Sequence, residues 1–170
     1  MDRGNKIQGK TIAYIAFGVY MMFLCWVILF KLADSVDKIP SMRGINLIPF
    51  YYDQLSGTRL HLNEVLDNVL VFVPAGYYFT AFGKGRTLRG IAAGALLSLS
   101  FEVLQWIFSL GASDITDLIT NTAGAAAGAL MFLVLGKLFK ERQVKIVSII
   151  GIVLEALCAA FLASIFIANS

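Results

Sequence analysis

The stretch GASDITDLITNTAGAAAGALMFLVL, Gly111–Leu135, decides how the rest of the chain is read. From Leu118 onward it carries no charge. Those eighteen residues make about 27 Å of helix at the standard rise, close to the thickness of a bilayer's hydrocarbon core. Its polar residues are not scattered. Asp114, Asp117, Asn121, Gly124 and Gly128 follow one another in alternating steps of three and four, which puts all five on one stripe of a helix. The segment therefore predicts a membrane-spanning helix with an acidic, amide-bearing end and a small-residue stripe running below it.

Four further apolar stretches surround it: Ile12–Phe30, Val65–Phe82, Leu88–Leu110 and Ile146–Ile167. Only helices satisfy their own backbone hydrogen bonds in lipid, so each reads as a helix. The first is too long for a signal-peptide core and no A-x-A site follows it, so it is expected to remain as a span. The composition agrees. Of 170 residues, 58% are hydrophobic and 15% charged, against about 45–50% and about 25% in a soluble domain. That balance excludes a disordered chain, a nucleic-acid-binding domain and a disulfide scaffold. The net charge of +3 is too small to call for nucleic acid. Cys25 and Cys158 each lie inside an apolar run and read as small hydrophobes. The expected fold is all-α: a polytopic helical bundle forming one membrane domain over residues 1–170. Its helices are placed at about 12–32, 64–82, 88–110, 114–136 and 146–168, with a long loop at about 33–63.

Charge gives the direction. Arg3, Lys6 and Lys10 precede the first helix; Lys84, Arg86 and Arg89 lie between the second and third; Lys137, Lys140, Arg142 and Lys145 lie between the fourth and fifth. The other four of the 14 basic residues, Lys31, Lys38, Arg43 and Arg59, are in the long loop or at its edge. The positive-inside rule then puts the N-terminus inside, the C-terminus outside and the long loop outside. Phe50, Tyr51 and Tyr52 in the loop suit the interface or the bundle better than free water.

With that direction, the chain's unusual polar residues gather at the outer end. Glu64, Asp67 and Asn68 open the second helix. Glu102 and Gln105 sit near the end of the third, three apart and on one face. Asp114, Asp117 and Asn121 open the fourth. The third and fourth helices are joined by the short turn Gly111–Ser113 and must be antiparallel neighbours. Counting from that turn, Glu102 and Asn121 lie at similar depth, about 10–13 Å down each helix. Charged groups within spans are costly and mark polar networks or functional sites. Plainer roles are open too. Asp114 is a good N-cap and Asp117 suits the helix's first turn. Asn121 and Gln105 can serve as interhelical hydrogen-bond donors, and Gly124-x-x-x-Gly128 as a close-packing motif. Glu155, alone in the fifth helix, could pair, stay protonated or carry protons.

No P-loop, dinucleotide fingerprint or nucleophile elbow is present. His61 is the single histidine, so a two-histidine metal site is excluded. No cofactor is required. Glu102, Asp114 and Asp117 remain a candidate set for a divalent cation. Arg43 and Arg59 are the outer guanidinium groups that could meet an anionic ligand.

Taken in order, Asn46-Leu-Ile-Pro-Phe50, Asp67-Asn68-Val-Leu-Val-Phe-Val-Pro74-Ala-Gly76, Glu102-Val-Leu-Gln105 and Asp114-Ile-Thr-Asp117-Leu-Ile-Thr-Asn121-Thr-Ala-Gly124 resemble the VanZ-like family of bacterial membrane proteins. The resemblance covers about residues 12–136 and nothing of the fifth helix. It implies a part in lowering susceptibility to the glycopeptide antibiotic teicoplanin. The residues then read as an outward pocket lined by Asn46, Asn68, Glu102, Gln105, Asp114, Asp117 and Asn121, with Arg43 or Arg59 at its mouth. Besides the lipid bilayer, the candidate partners are a cell-wall precursor, a lipid-linked ligand or the glycopeptide itself. Competing readings are a membrane-embedded enzyme acting on a phosphate-bearing lipid-linked substrate with Glu102 as acid or base, a small carrier, and a structural assembly partner.

Overall fold

The computed structural model describes residues 3–30, 42–50 and 58–168, and within them the side chains of 8–30, 44–50, 62–164 and 167. The order of elements is α1 (Arg3–Phe30), β1 (Met42–Asn46), α2 (Thr58–Phe82), α3 (Thr87–Phe108), β2 (Leu110–Asp114), α4 (Ile115–Phe139), a 3-10 turn (Lys140–Arg142) and α5 (Gln143–Ala168). Among the described residues, four helical segments are long and apolar enough to cross a membrane: Gln8–Phe30, Leu62–Phe82, Thr87–Phe108 and Ile115–Ser164. The last is a run of 50 residues that takes in α4, the turn and most of α5.

Two departures from the expected layout shape the candidate site. The second helix begins at Thr58, inside the stretch read as loop. Residues 111–113 are not a turn but the middle of a strand. β2 pairs in parallel with β1, from Met42↔Leu110 to Asn46↔Asp114. The fold is therefore helical with one small sheet inserted. The break after α3 has a local cause: Ser109 takes the left-handed conformation at φ 56°, and its N–H turns back to the carbonyls of Gln105 and Trp106. The small residues that follow let the strands lie close, with the Cα of Gly44 facing the Ala112 methyl group.

The chain divides into two compact units. One comprises residues 24–134. In it α2 stays helical through Pro74, and glycines let helices approach backbone to backbone. A side chain on Gly76 would overlap the Ala125 backbone; one on Gly124 would overlap the Val69 carbonyl; one on Gly128 would overlap the Val73 carbonyl. Phe72, Ala75, Tyr77, Ala125 and Ala129 are fully buried around these crossings. Phe72 meets Phe101 edge to face at 6.3 Å, and Tyr77 meets Phe132 at 5.5 Å. Leu66, Leu70, Leu96 and Leu130 all point outward, an arrangement that suits hydrocarbon and not water.

The other unit comprises residues 1–23 and 135–170. Here Gly9 of α1 lies against the stem of Lys145 in α5. Ser148 is fully buried, its hydroxyl donating to the Val144 carbonyl at 2.7 Å. Further along α5, Val153, Leu154, Leu157 and Phe161 are more than half exposed.

Candidate functional site

Asp114 stands where β2 ends and α4 begins, and three bonds meet on it. Its Oδ1 accepts from the Thr116 N–H at 2.7 Å, so the N-cap expected from sequence is formed. Its Oδ2 accepts from the Asn46 side-chain amide at 3.0 Å. Its own N–H donates to Glu102 Oε2 at 2.9 Å. Asn46 and Asp114 are register partners at the end of the ladder, so the parallel pairing brings a loop residue to the head of α4. Asn46 also folds its own loop, accepting from the Ile48 N–H at 3.1 Å. Two residues on, the Phe50 N–H donates to Thr116 Oγ1 at 3.0 Å.

One turn along α4, Asp117 Oδ1 accepts from the Asn68 amide of α2 at 2.7 Å. Another turn along, the Asn121 amide donates to Ser98 Oγ of α3 at 2.9 Å. The α4 stripe thus meets a different element at each step: β1, then α2, then α3. Asn121 is 2% exposed and Glu102 8%, so polar contact here reaches well below the surface. Asn121 Oδ1 is buried without a hydrogen-bond partner among the described residues, a condition few buried polar atoms tolerate.

The cluster gathers Asn46, Asn68, Glu102, Asp114, Asp117 and Asn121 as the sequence suggested, in a different pairing. Glu102 faces the Asp114 backbone, and Asn121 pairs with Ser98. Gln105 is buried but turns elsewhere: its amide donates to the Ile28 carbonyl near the end of α1 at 3.0 Å. There it satisfies one of the carbonyls a helix end leaves open. Arg43 lies in β1 and Arg59 in the first turn of α2; their side chains lie outside the described residues, as does that of His61. Ser98, Ser113 and Thr116 were not singled out from sequence. Ser98 could have been, because it precedes Glu102 by one helical turn on the buried face of α3. Ser113, which donates to the Glu102 carbonyl at 2.8 Å, gave no signal, because its role depends on the strand.

Chemically, the site is rich in acceptors. Three carboxylates are held by amide and backbone donors, two of them at the positive end of the α4 dipole. Such a surface suits a ligand that offers N–H, ammonium or hydroxyl groups. The candidate cation set is not assembled: among the described residues no group of three or more His, Cys, Asp or Glu is placed to hold a metal ion. The physical reason is in the bonds above, which commit Glu102, Asp114 and Asp117 to three different partners.

Against protein families, residues 17–140 match the VanZ/LLP1 family model. The chain belongs to the VanZ/LLP1 family. The VanZ/LLP1 match contains every residue of the cluster and ends at Lys140, just after α4 and short of α5. The chain is also similar to Protein VanZ of Enterococcus faecium, 32% identical over 158 residues that cover 91% of this chain and 94% of that protein. No solved structure matches the chain.

Proposed function

We propose that this VanZ-family chain is a five-span protein of the bacterial cell membrane whose outer polar cluster binds a cell-wall or lipid-linked component and so contributes to resistance to glycopeptides such as teicoplanin. The observation that carries the reading is the knot at Asp114. Two strands, two helix ends and a loop converge there on carboxylates and amides, at one end of helices that are otherwise apolar. An acceptor-rich floor beneath a loop is what a donor-bearing ligand needs.

Cells expressing the wild type, Glu102→Gln or Asp117→Asn, with membrane levels matched by blot, test this. The wild type is expected to raise the teicoplanin concentration needed to stop growth. Removing one charge-assisted hydrogen bond to a ligand costs about 1.5–3 kcal/mol, roughly a tenfold to hundredfold loss of affinity, so both variants should lose most of the protection. Equal protection by all three would make the cluster a folding device. No protection by the wild type would sink the resistance role.

The span count and direction belong to the same reading. Fifty residues of helix would reach about 75 Å, more than twice the hydrocarbon thickness. Lys140, Glu141 and Arg142 interrupt the run midway, which supports α4 and α5 as separate spans. With ten of the 14 basic residues on alternate connections, the N-terminus is inside and the cluster outside. In a Cys25→Ser/Cys158→Ser background, Ala112→Cys is expected to react with an impermeant maleimide in intact spheroplasts. Glu141→Cys should react only after permeabilisation. The reverse pattern overturns the direction, and reaction of both in intact spheroplasts overturns the count.

A further inference from the structure

The α4–α5 corner belongs to none of this. A cavity of about 640 Å³ opens there, lined by Leu138, Phe139, Lys140, Glu141, Arg142 and Ile146. Its lining is of two kinds. Leu138 is 68% and Phe139 42% exposed, which is apolar surface at the end of a spanning helix. Lys140 and Arg142 stand beside them, with Lys137 and Lys145 flanking. Glu141 is the single acid among these nine positions, 137–145, so the local balance is strongly positive.

We propose that this corner is a binding site for an anionic phospholipid. The phosphodiester sits between Lys140 and Arg142, and an acyl chain lies along Leu138, Phe139 and Ile146. Arg142 offers a planar fork that matches two phosphate oxygens, and Lys140 a point charge. Glu141 disfavours a bare anion and accepts from a headgroup hydroxyl, which selects a glycerol headgroup. The combination of basic turn and apolar wall is the pattern by which helix ends hold anionic headgroups. This inference rests on α4 and α5 being separate spans, which the Glu141→Cys labelling tests by itself.

The test uses the full-length protein in a neutral detergent, titrated with phosphatidylglycerol or phosphatidylcholine and read by native mass spectrometry. Wild type is expected to prefer phosphatidylglycerol roughly thirtyfold, from two cations at the membrane surface. Lys140→Gln/Arg142→Gln should lose the preference. Lys84→Gln/Arg86→Gln, which removes the same charge from the α2–α3 turn, should keep it. Arg142→Lys keeps charge and exposure and should weaken the preference severalfold, which covers the case in which the double variant fails to fold. Equal binding of the two lipids by wild type overturns the proposal. So does equal loss in both double variants, or displacement of phosphatidylglycerol by glycerol phosphate, which would make the site one for a soluble anion.

Discussion

Gly128→Leu is expected to prevent residues 24–134 from assembling, giving protein that elutes aggregated on size exclusion in detergent. The first added carbon would already overlap the Val73 carbonyl oxygen and come within 2.7 Å of the Tyr77 nitrogen. Both obstacles are α2 backbone, so no rotamer change relieves them. Helix propensity pulls the other way, since replacing glycine within a helix gains up to about 1 kcal/mol. Overpacking against side chains costs about 1–3 kcal/mol and against fixed backbone more, so the clash decides the sign. Gly76 meets the Ala125 backbone from the opposite helix, and the two positions hold one crossing from both sides. Gly18 of α1 supplies the contrast, because a side chain there meets nothing within 4 Å. Gly18→Ala is expected to leave elution unchanged and to raise the unfolding temperature slightly. A Gly128→Leu protein that elutes and unfolds like the wild type would show that α2 and α4 do not cross as described.

These crossings also show why so much of the helical layout is legible in sequence. Lipid leaves the chain few choices: a long apolar run must be a helix, and glycines in steps of four mark where another helix can come close. What the sequence conceals is whatever depends on a distant partner. β1 and β2 are five residues each, and LGASD carries no alternation of apolar and polar side chains. Their pairing joins Asn46 to Asp114, 68 positions away. The same holds inside the site. The Asp114 cap is local and was readable, whereas the partners of Asp117 and Asn121 were not, because one stripe touches three elements in turn. Measuring depth from a three-residue turn set Glu102 level with Asn121. The connection is a strand begun by a left-handed serine, and that added length brings the head of α4 to Glu102 and Asn121 to Ser98. Thr58–Asn63 precedes the apolar run that starts at Val65, yet it forms the first turns of α2.

Asp114→Ala is expected to destabilise the 24–134 unit by about 2–3 kcal/mol. The lost N-cap accounts for about 1 kcal/mol. Loss of the charged acceptor for Asn46 accounts for about 1.5 kcal/mol, the low end for such bonds, since the pair is only part-buried. Asp114→Asn keeps an oxygen for the Thr116 N–H but turns an amide group toward the Asn46 amide, so it should fall between alanine and wild type. The bond from the Asp114 N–H to Glu102 uses backbone and survives either change. This separates folding from binding at one site. Glu102→Gln keeps an acceptor for that N–H and should unfold near the wild-type temperature while losing protection against teicoplanin. Asp114→Ala should lose both. Thermal unfolding in detergent orders the stabilities, and protease cutting within residues 42–50 reports whether β1 has come away from the head of α4. If Asp114→Ala unfolds with the wild type and β1 stays protected, the strand pair is held by its backbone ladder alone, and the carboxylate is left free to serve the ligand.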